Sequence, residues 1–75
     1  MPSLRRVSGQ EAIGALERLG FVQVRQRGSH VVLKRQTPEG EIGCVVPLHR
    51  ELATGTLRGI LKQARVTLEE FAENS

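Results

Sequence analysis

The sequence has no tryptophan, no tyrosine and only two phenylalanines in 75 residues. Stacking of successive bases on exposed aromatic side chains, a common way of holding single-stranded nucleic acid, therefore has almost nothing to build on. Phe21 and Phe71 both stand at positions that suit a core. Cysteine is nearly missing as well. Cys44 is the only one, which excludes an intramolecular disulfide and a four-ligand Cys/His zinc site. It sits in an apolar stretch, as expected of a buried thiol in a cytoplasmic protein. No apolar run approaches the length of a membrane span. The basic start MPSLRRVSG has no apolar segment behind it, so it does not read as a secretory signal. Internal repeats and low-complexity segments are absent too.

What is present suits one small globular domain, residues 1–75. Hydrophobic residues make up 39% and charged residues 25%, ordinary values for such a chain. A domain of this size buries about 60% of the surface its unfolded chain exposes, so the core must be thin. The formal net charge is +3, but it is unevenly placed. Residues 1–35 hold seven Lys/Arg against only Glu11 and Glu17, whereas the end, LEEFAENS, is acidic. A polyanionic partner for the first half fits this asymmetry.

VSGQEAIGALERLGF predicts a helix. Ser8 and Glu11 form a capping box, Val7 and Ala12 a hydrophobic staple, and Gly20 the stop. Gly14 inside it costs about 1 kcal/mol relative to alanine, which close packing on a sheet would explain. FVQVR predicts a strand, QRG a turn, SHVVLKRQ a second strand, TPEGE a turn and IGCVVPLH a third strand. Pro47 cannot donate to a ladder, so it marks a strand end or an edge. ATGTLRGILKQARV predicts a second helix with Thr54 as N-cap. Its apolar face is Leu57, Ile60, Leu61 and Ala64, beside a stripe of Arg58, Lys62 and Arg65. TLEEFAENS adds a short helix capped by Thr67 and Glu70 and anchored by Leu68 and Phe71. The order α-β-β-β-α, plus a short C-terminal helix, gives an α+β fold. Helices cover one face of a three-stranded antiparallel sheet, and the other face stays open. This is the shape of the double-stranded-RNA-binding fold, though shape alone does not define function.

The stretch RGSHVVL carries the chemistry. Alternation sets His30, Val32 and Lys34 on one side of the strand, and Ser29, Val31, Leu33 and Arg35 on the other. The second side is the more apolar, which leaves His30 and Lys34 on the open face. Arg25 and Arg27 flank the turn into Gly28, within reach of a phosphate. Gly28 supplies a backbone conformation or a close approach that a Cβ would forbid, and Ser29 either meets phosphate or ties off the turn. His49, in the loop after the third strand, is a second proton carrier, a phosphate contact or a loop residue. The TGT helix start offers free N–H groups to an anion. A two-histidine metal site with Glu51 lacks a recognisable spacing, so neither metal nor cofactor is expected. From the residues alone, His30 remains a core filler, a metal ligand, a nucleic-acid contact or a catalytic base.

Taken in order, VSGQEAIGALERLGF, RQRGSHVVL and VVPLHRELATGTLRGILKQARVTLEEF resemble the HicA family of small bacterial toxins. The resemblance runs from about residue 7 to 71, most tellingly in GSH, the P-x-H ending the third strand, and GTLRGILKQA. It implies a double-stranded-RNA-binding-like fold and the activity of an mRNA interferase in a type II toxin–antitoxin system. It further implies that a HicB antitoxin holds the enzyme inactive. By the same resemblance the essential histidine is the one in GSH, His30. The chain departs at ATGT, where members often carry lysine or proline before GT, and at ARV, where many have glycine after QA. Chemically, RNA supplies its own nucleophile, the 2′-OH, and a histidine with an ordinary pKa of about 6.5 can take its proton near neutrality. Arg25, Arg27 or Lys34 would stabilise charge on the phosphate, and His49, Lys34 or water would protonate the leaving oxygen. No metal is needed for that route. A non-catalytic RNA-binding module, or a toxin remnant that only docks an antitoxin, would explain the same fold and charge.

Overall fold

The computed structural model describes residues 6–75, so most of the basic start MPSLRRVSG lies outside the described residues. The elements are α1 (Gly9–Arg18), β1 (Val22–Arg27), β2 (His30–Thr37), β3 (Gly40–Pro47), α2 (Thr54–Ala64) and α3 (Leu68–Glu73). The strands form one antiparallel sheet in the order β1-β2-β3. This is the expected α+β order of one helix, three strands and then helices.

Local signals in the chain explain most boundaries. Ser8 accepts from the Glu11 backbone N–H while the Glu11 carboxylate accepts from the Ser8 N–H, at 3.0 and 2.9 Å. Thr67 and Glu70 do the same at the start of α3. The bonds from Thr67 hold the Glu70 carboxyl below its ordinary pKa. That cap is thus present above the usual carboxylate pKa and is lost as pH falls through the lowered one.

Helices α1 and α2 stop with the same hydrogen-bond pattern. Phe21 N donates to Leu16 O and Gly20 N to Glu17 O; Val66 N donates to Leu61 O and Arg65 N to Lys62 O. Each pair is a Schellman motif, whose turning residue is left-handed and whose next residue is apolar. Gly20 fills that place with φ +100°. Arg65 fills it in α2 at φ 57°, ψ 39°, where the side chain is strained. Arg65→Gly is therefore expected to stabilise the fold by about 0.5–1 kcal/mol. In thermal unfolding followed by circular dichroism, that is a rise of about 2–8 °C.

Burial follows the expected faces. Val31 and Leu33 of β2, Cys44 and Val46 of β3, Leu16 of α1 and Leu57 of α2 are all buried. Val31 faces Val46, and Leu33 faces Cys44, across the β2–β3 seam. Burial pushes the Cys44 thiol up to about 11, so it stays protonated and unreactive near neutrality. Helix α2 starts differently from expectation. Thr54 is already helical, and Ala53 stands at the N-cap with no side-chain bond. Leu52 is buried and its N–H donates to Val7 O at 2.7 Å. This tertiary anchor, rather than a capping side chain, sets where α2 begins.

Gly14 does not pack against the sheet. A Cβ there would meet only the Arg18 guanidinium, at 3.7 Å. Gly14→Ala is expected to stabilise the protein by about 0.5–1 kcal/mol, read as a higher denaturation midpoint at unchanged m-value. The close approach lies at Gly9 instead, where a Cβ would run into the Pro47 carbonyl oxygen.

Candidate functional site

The β1–β2 turn is shorter than expected. Gln26 and Arg27 belong to β1, His30 opens β2, and only Gly28 and Ser29 form the loop. Ser29 is thus a turn residue, not a strand residue. Gly28 has φ +56° while Ser29 has an ordinary negative φ. Glycine at the first of two loop positions is the type II′ arrangement, whose twist matches the flanking strands. Gln26 Nε2 donates to Gly28 O at 3.0 Å and steadies the turn. The loop places Arg27 directly opposite His30.

A β-bulge decides which way the arginines face. Phe21 is buried beneath the helices, so plain alternation would turn residues 23, 25 and 27 toward the helices as well. The register instead shifts between Gln23 and Arg25, pairing Val22 with Lys34, Arg25 with Val32 and Arg27 with His30. Residues paired across an antiparallel seam share a face. Val22, Arg25 and Arg27 therefore lie on the same face as His30, Val32 and Lys34, away from the buried Val31 and Leu33. Val24 is the extra residue. Re-aiming side chains is a common use of a bulge, and here it brings two guanidinium groups onto the histidine's face.

Lys34 shares that face but not that neighbourhood. It stands four residues along β2 from His30, about 13 Å at strand rise. Its Nζ lies 3.2 Å from Glu41 Oε1, and Gln36 Nε2 donates to Glu41 Oε2 at 2.7 Å. Glu41 pairs with Gln36 in the register, so this contact draws the ammonium toward the end of the sheet far from His30.

His49 is exposed, two residues beyond the Pro47 that pairs with His30. Its backbone is firmly held. Leu48 N donates to Ser29 O at 2.6 Å, and Gly9 N donates to His49 O at 2.9 Å. The start of α1, the end of β3 and the His30 turn are thus laced together by main-chain bonds. The open face also carries apolar surface that the sequence reading passed over. Val22 is 62% exposed and Val45 40%, with Val24 at 52% in the bulge. Glu41 and Gly9 were equally unmarked, because each acquires its meaning only from a neighbour on another element.

A shallow cleft of about 370 Å³, lined by Gln10, Glu11, Gly14, Arg18 and Ser75, lies on the outer side of α1 and contains none of these residues. Among the described residues, no group of three or more His, Cys, Asp or Glu side chains could hold a metal ion. No helix among them is long and apolar enough to cross a membrane.

Fold and face together define a small α+β protein with a cationic, histidine-bearing sheet surface left uncovered by its helices. The family model of the HicA toxin of bacterial toxin–antitoxin systems matches residues 9–66, and the chain belongs to that family. It is thus the toxin of a toxin–antitoxin pair, in a family whose members are generally endoribonucleases, and membership implies a cognate antitoxin. No curated protein matches the chain.

Proposed function

We propose that residues 1–75 form a single HicA-like domain, a cytoplasmic mRNA interferase that cleaves RNA without a metal and is neutralised by a HicB-like antitoxin. The observation that carries the reading is the bulged register, which sets Arg27 opposite His30 and Arg25 one step further along the same open face. A double-stranded-RNA-binding-like shape agrees with the element order and the uncovered sheet. In this reading His30 takes the proton of a ribose 2′-OH. The 2′-oxygen attacks the adjacent phosphorus and the 5′-oxygen leaves, giving a 2′,3′-cyclic phosphate and a 5′-OH. Arg25 and Arg27 hold the phosphate and stabilise the charge that grows on it. Gly28 and Ser29 bring the chain's backbone close to RNA at the tight turn. His49 is the nearer candidate for protonating the leaving oxygen. Lys34, drawn toward Glu41, binds RNA backbone away from the scissile bond.

Incubating purified protein with RNA in excess EDTA, then weighing the products by mass spectrometry, tests this. Cyclic phosphate and 5′-OH ends are expected. Ends bearing 5′-phosphate would refute the route, and binding without cleavage would leave an RNA-binding module.

A further inference from the structure

The two edges of the sheet are finished differently. On β3, Val45 N donates to Gln63 Oε1 of α2 at 3.4 Å, so residue 45 points its N–H away from β2. Alternation puts Pro47 in the same phase, where its missing N–H costs no ladder bond. At Val45 the outer edge of β3 is therefore met by a helix side chain, and the strand ends in proline. The same alternation fixes the phase of β1. Val31 and Leu33 bond toward β3, so His30, Val32 and Lys34 bond toward β1, and their partners Arg27, Arg25 and Val22 point inward. Gln26 and Gln23 then direct their N–H and C=O groups outward. All six β1 residues are exposed, and among the described residues no side chain spans this edge as Gln63 spans the other.

The geometry points to the outer edge of β1 as a docking site for an extended segment of the antitoxin, added to the sheet as a fourth strand. The segment carries acidic side chains next to Arg25 and Arg27 and an apolar one next to Val22. The inference rests on the toxin–antitoxin reading and specifies where and how the partner binds. Charge selects this occupant. Arg25 and Arg27 lie on β1, and the salt bridges among the described residues leave both unpaired: Arg6 meets Glu51 and Lys34 meets Glu41. A second copy of the chain would bring four arginines, two from each β1, onto one short seam, where like charges destabilise pairing. The bulge adds a further filter, since a bulged edge resists casual pairing. A partner strand therefore has to match a short run from Arg25 to Arg27, with main-chain bonds at Gln26 giving affinity and the acidic side chains giving selection.

Gln26→Pro separates main chain from side chain. Proline is tolerated on an edge strand where the lost N–H faced solvent, so the free protein should fold, but the outward donor is gone. Gln26→Ala removes only the side chain. The probe is the purified product of the neighbouring antitoxin gene, with affinity read by calorimetry and amide exchange read by NMR. Expected are binding weakened about tenfold or more by Gln26→Pro and little changed by Gln26→Ala. Exchange at Gln26 and Gln23 should slow at least about tenfold in the parent complex. The exchange measurement on the parent decides the matter if Gln26→Pro misfolds. A complex in which Gln26 stays unprotected, with Gln26→Pro binding like the parent, would overturn the edge site and leave the antitoxin partnership standing. Protection of Gln26 in the isolated chain as it dimerises would give the edge to a second copy and overturn the proposal. Failure of the neighbouring product to bind at all would overturn the partnership along with it.

Discussion

His30→Ala is expected to lower the RNA cleavage rate by about 10²–10⁴-fold, the usual contribution of a positioned general base. The side chain is exposed at the first position of β2, so its removal leaves no cavity, and the thermal midpoint should stay close to the parent's. The loss should appear in kcat. KM should change little, because the proposed site leaves Arg25, Arg27 and Lys34 to hold the RNA backbone. Lys34→Ala gives the reverse pattern, a KM raised a few-fold with kcat nearly unchanged. Single-turnover and steady-state assays on a defined oligonucleotide separate the two. Parent-like cleavage by His30→Ala would remove the base assignment. Equal kcat losses in both variants would mean that Lys34 takes part in the chemistry.

Gly9→Ala is expected to destabilise the protein by about 1–3 kcal/mol, the range for overfilling a packed site. The thermal midpoint would fall by about 4–8 °C for each kcal/mol. Alanine is otherwise a better helix former than glycine, so the sign is set by sterics alone. A Cβ at Gly9 would occupy the place of the Pro47 carbonyl oxygen and stand 3.0 Å from Leu48 Cα. Both are main-chain atoms and cannot swing aside like the end of a side chain. The segment from Pro47 to His49 must move, and with it the Leu48–Ser29 bond that braces the His30 turn. Cleavage should therefore fall even at temperatures where the variant is fully folded. Gly14→Ala, one turn and a half along the same helix, has the opposite sign. A Gly9→Ala protein as stable as the parent would show that the strand end yields at little cost.

Features encoded within a few residues were readable from the sequence. The two capping boxes, the glycine that stops α1 and the apolar stripes of α1 and α2 each depend on spacing alone, and all are present. The face carrying His30, Val32 and Lys34 was equally readable from strand alternation. The Thr54 cap was misread because Leu52, pinned in the core, starts α2 without any capping side chain. The close packing expected at Gly14 lies instead at Gly9, which no local pattern marks, since what a Cβ would strike there belongs to another element. The bulge has no local signature in FVQVR. It follows from keeping Phe21 in the core while the tight Gly28–Ser29 turn fixes Arg27 opposite His30. Six positions from Phe21 to Gln26 must bridge a distance that fewer would span, and the surplus residue becomes Val24. The arginines' place on the histidine's face was therefore a tertiary outcome.

The obstructed edge of β3 has a consequence for how the molecule can assemble. Growth of a sheet into a fibre needs two free edges on every unit, so that each added strand offers a fresh template. Here the Gln63 bond to Val45 and the terminal Pro47 obstruct one side, which leaves β1 as the freer edge. A strand docked at β1 would therefore cap the sheet rather than extend it.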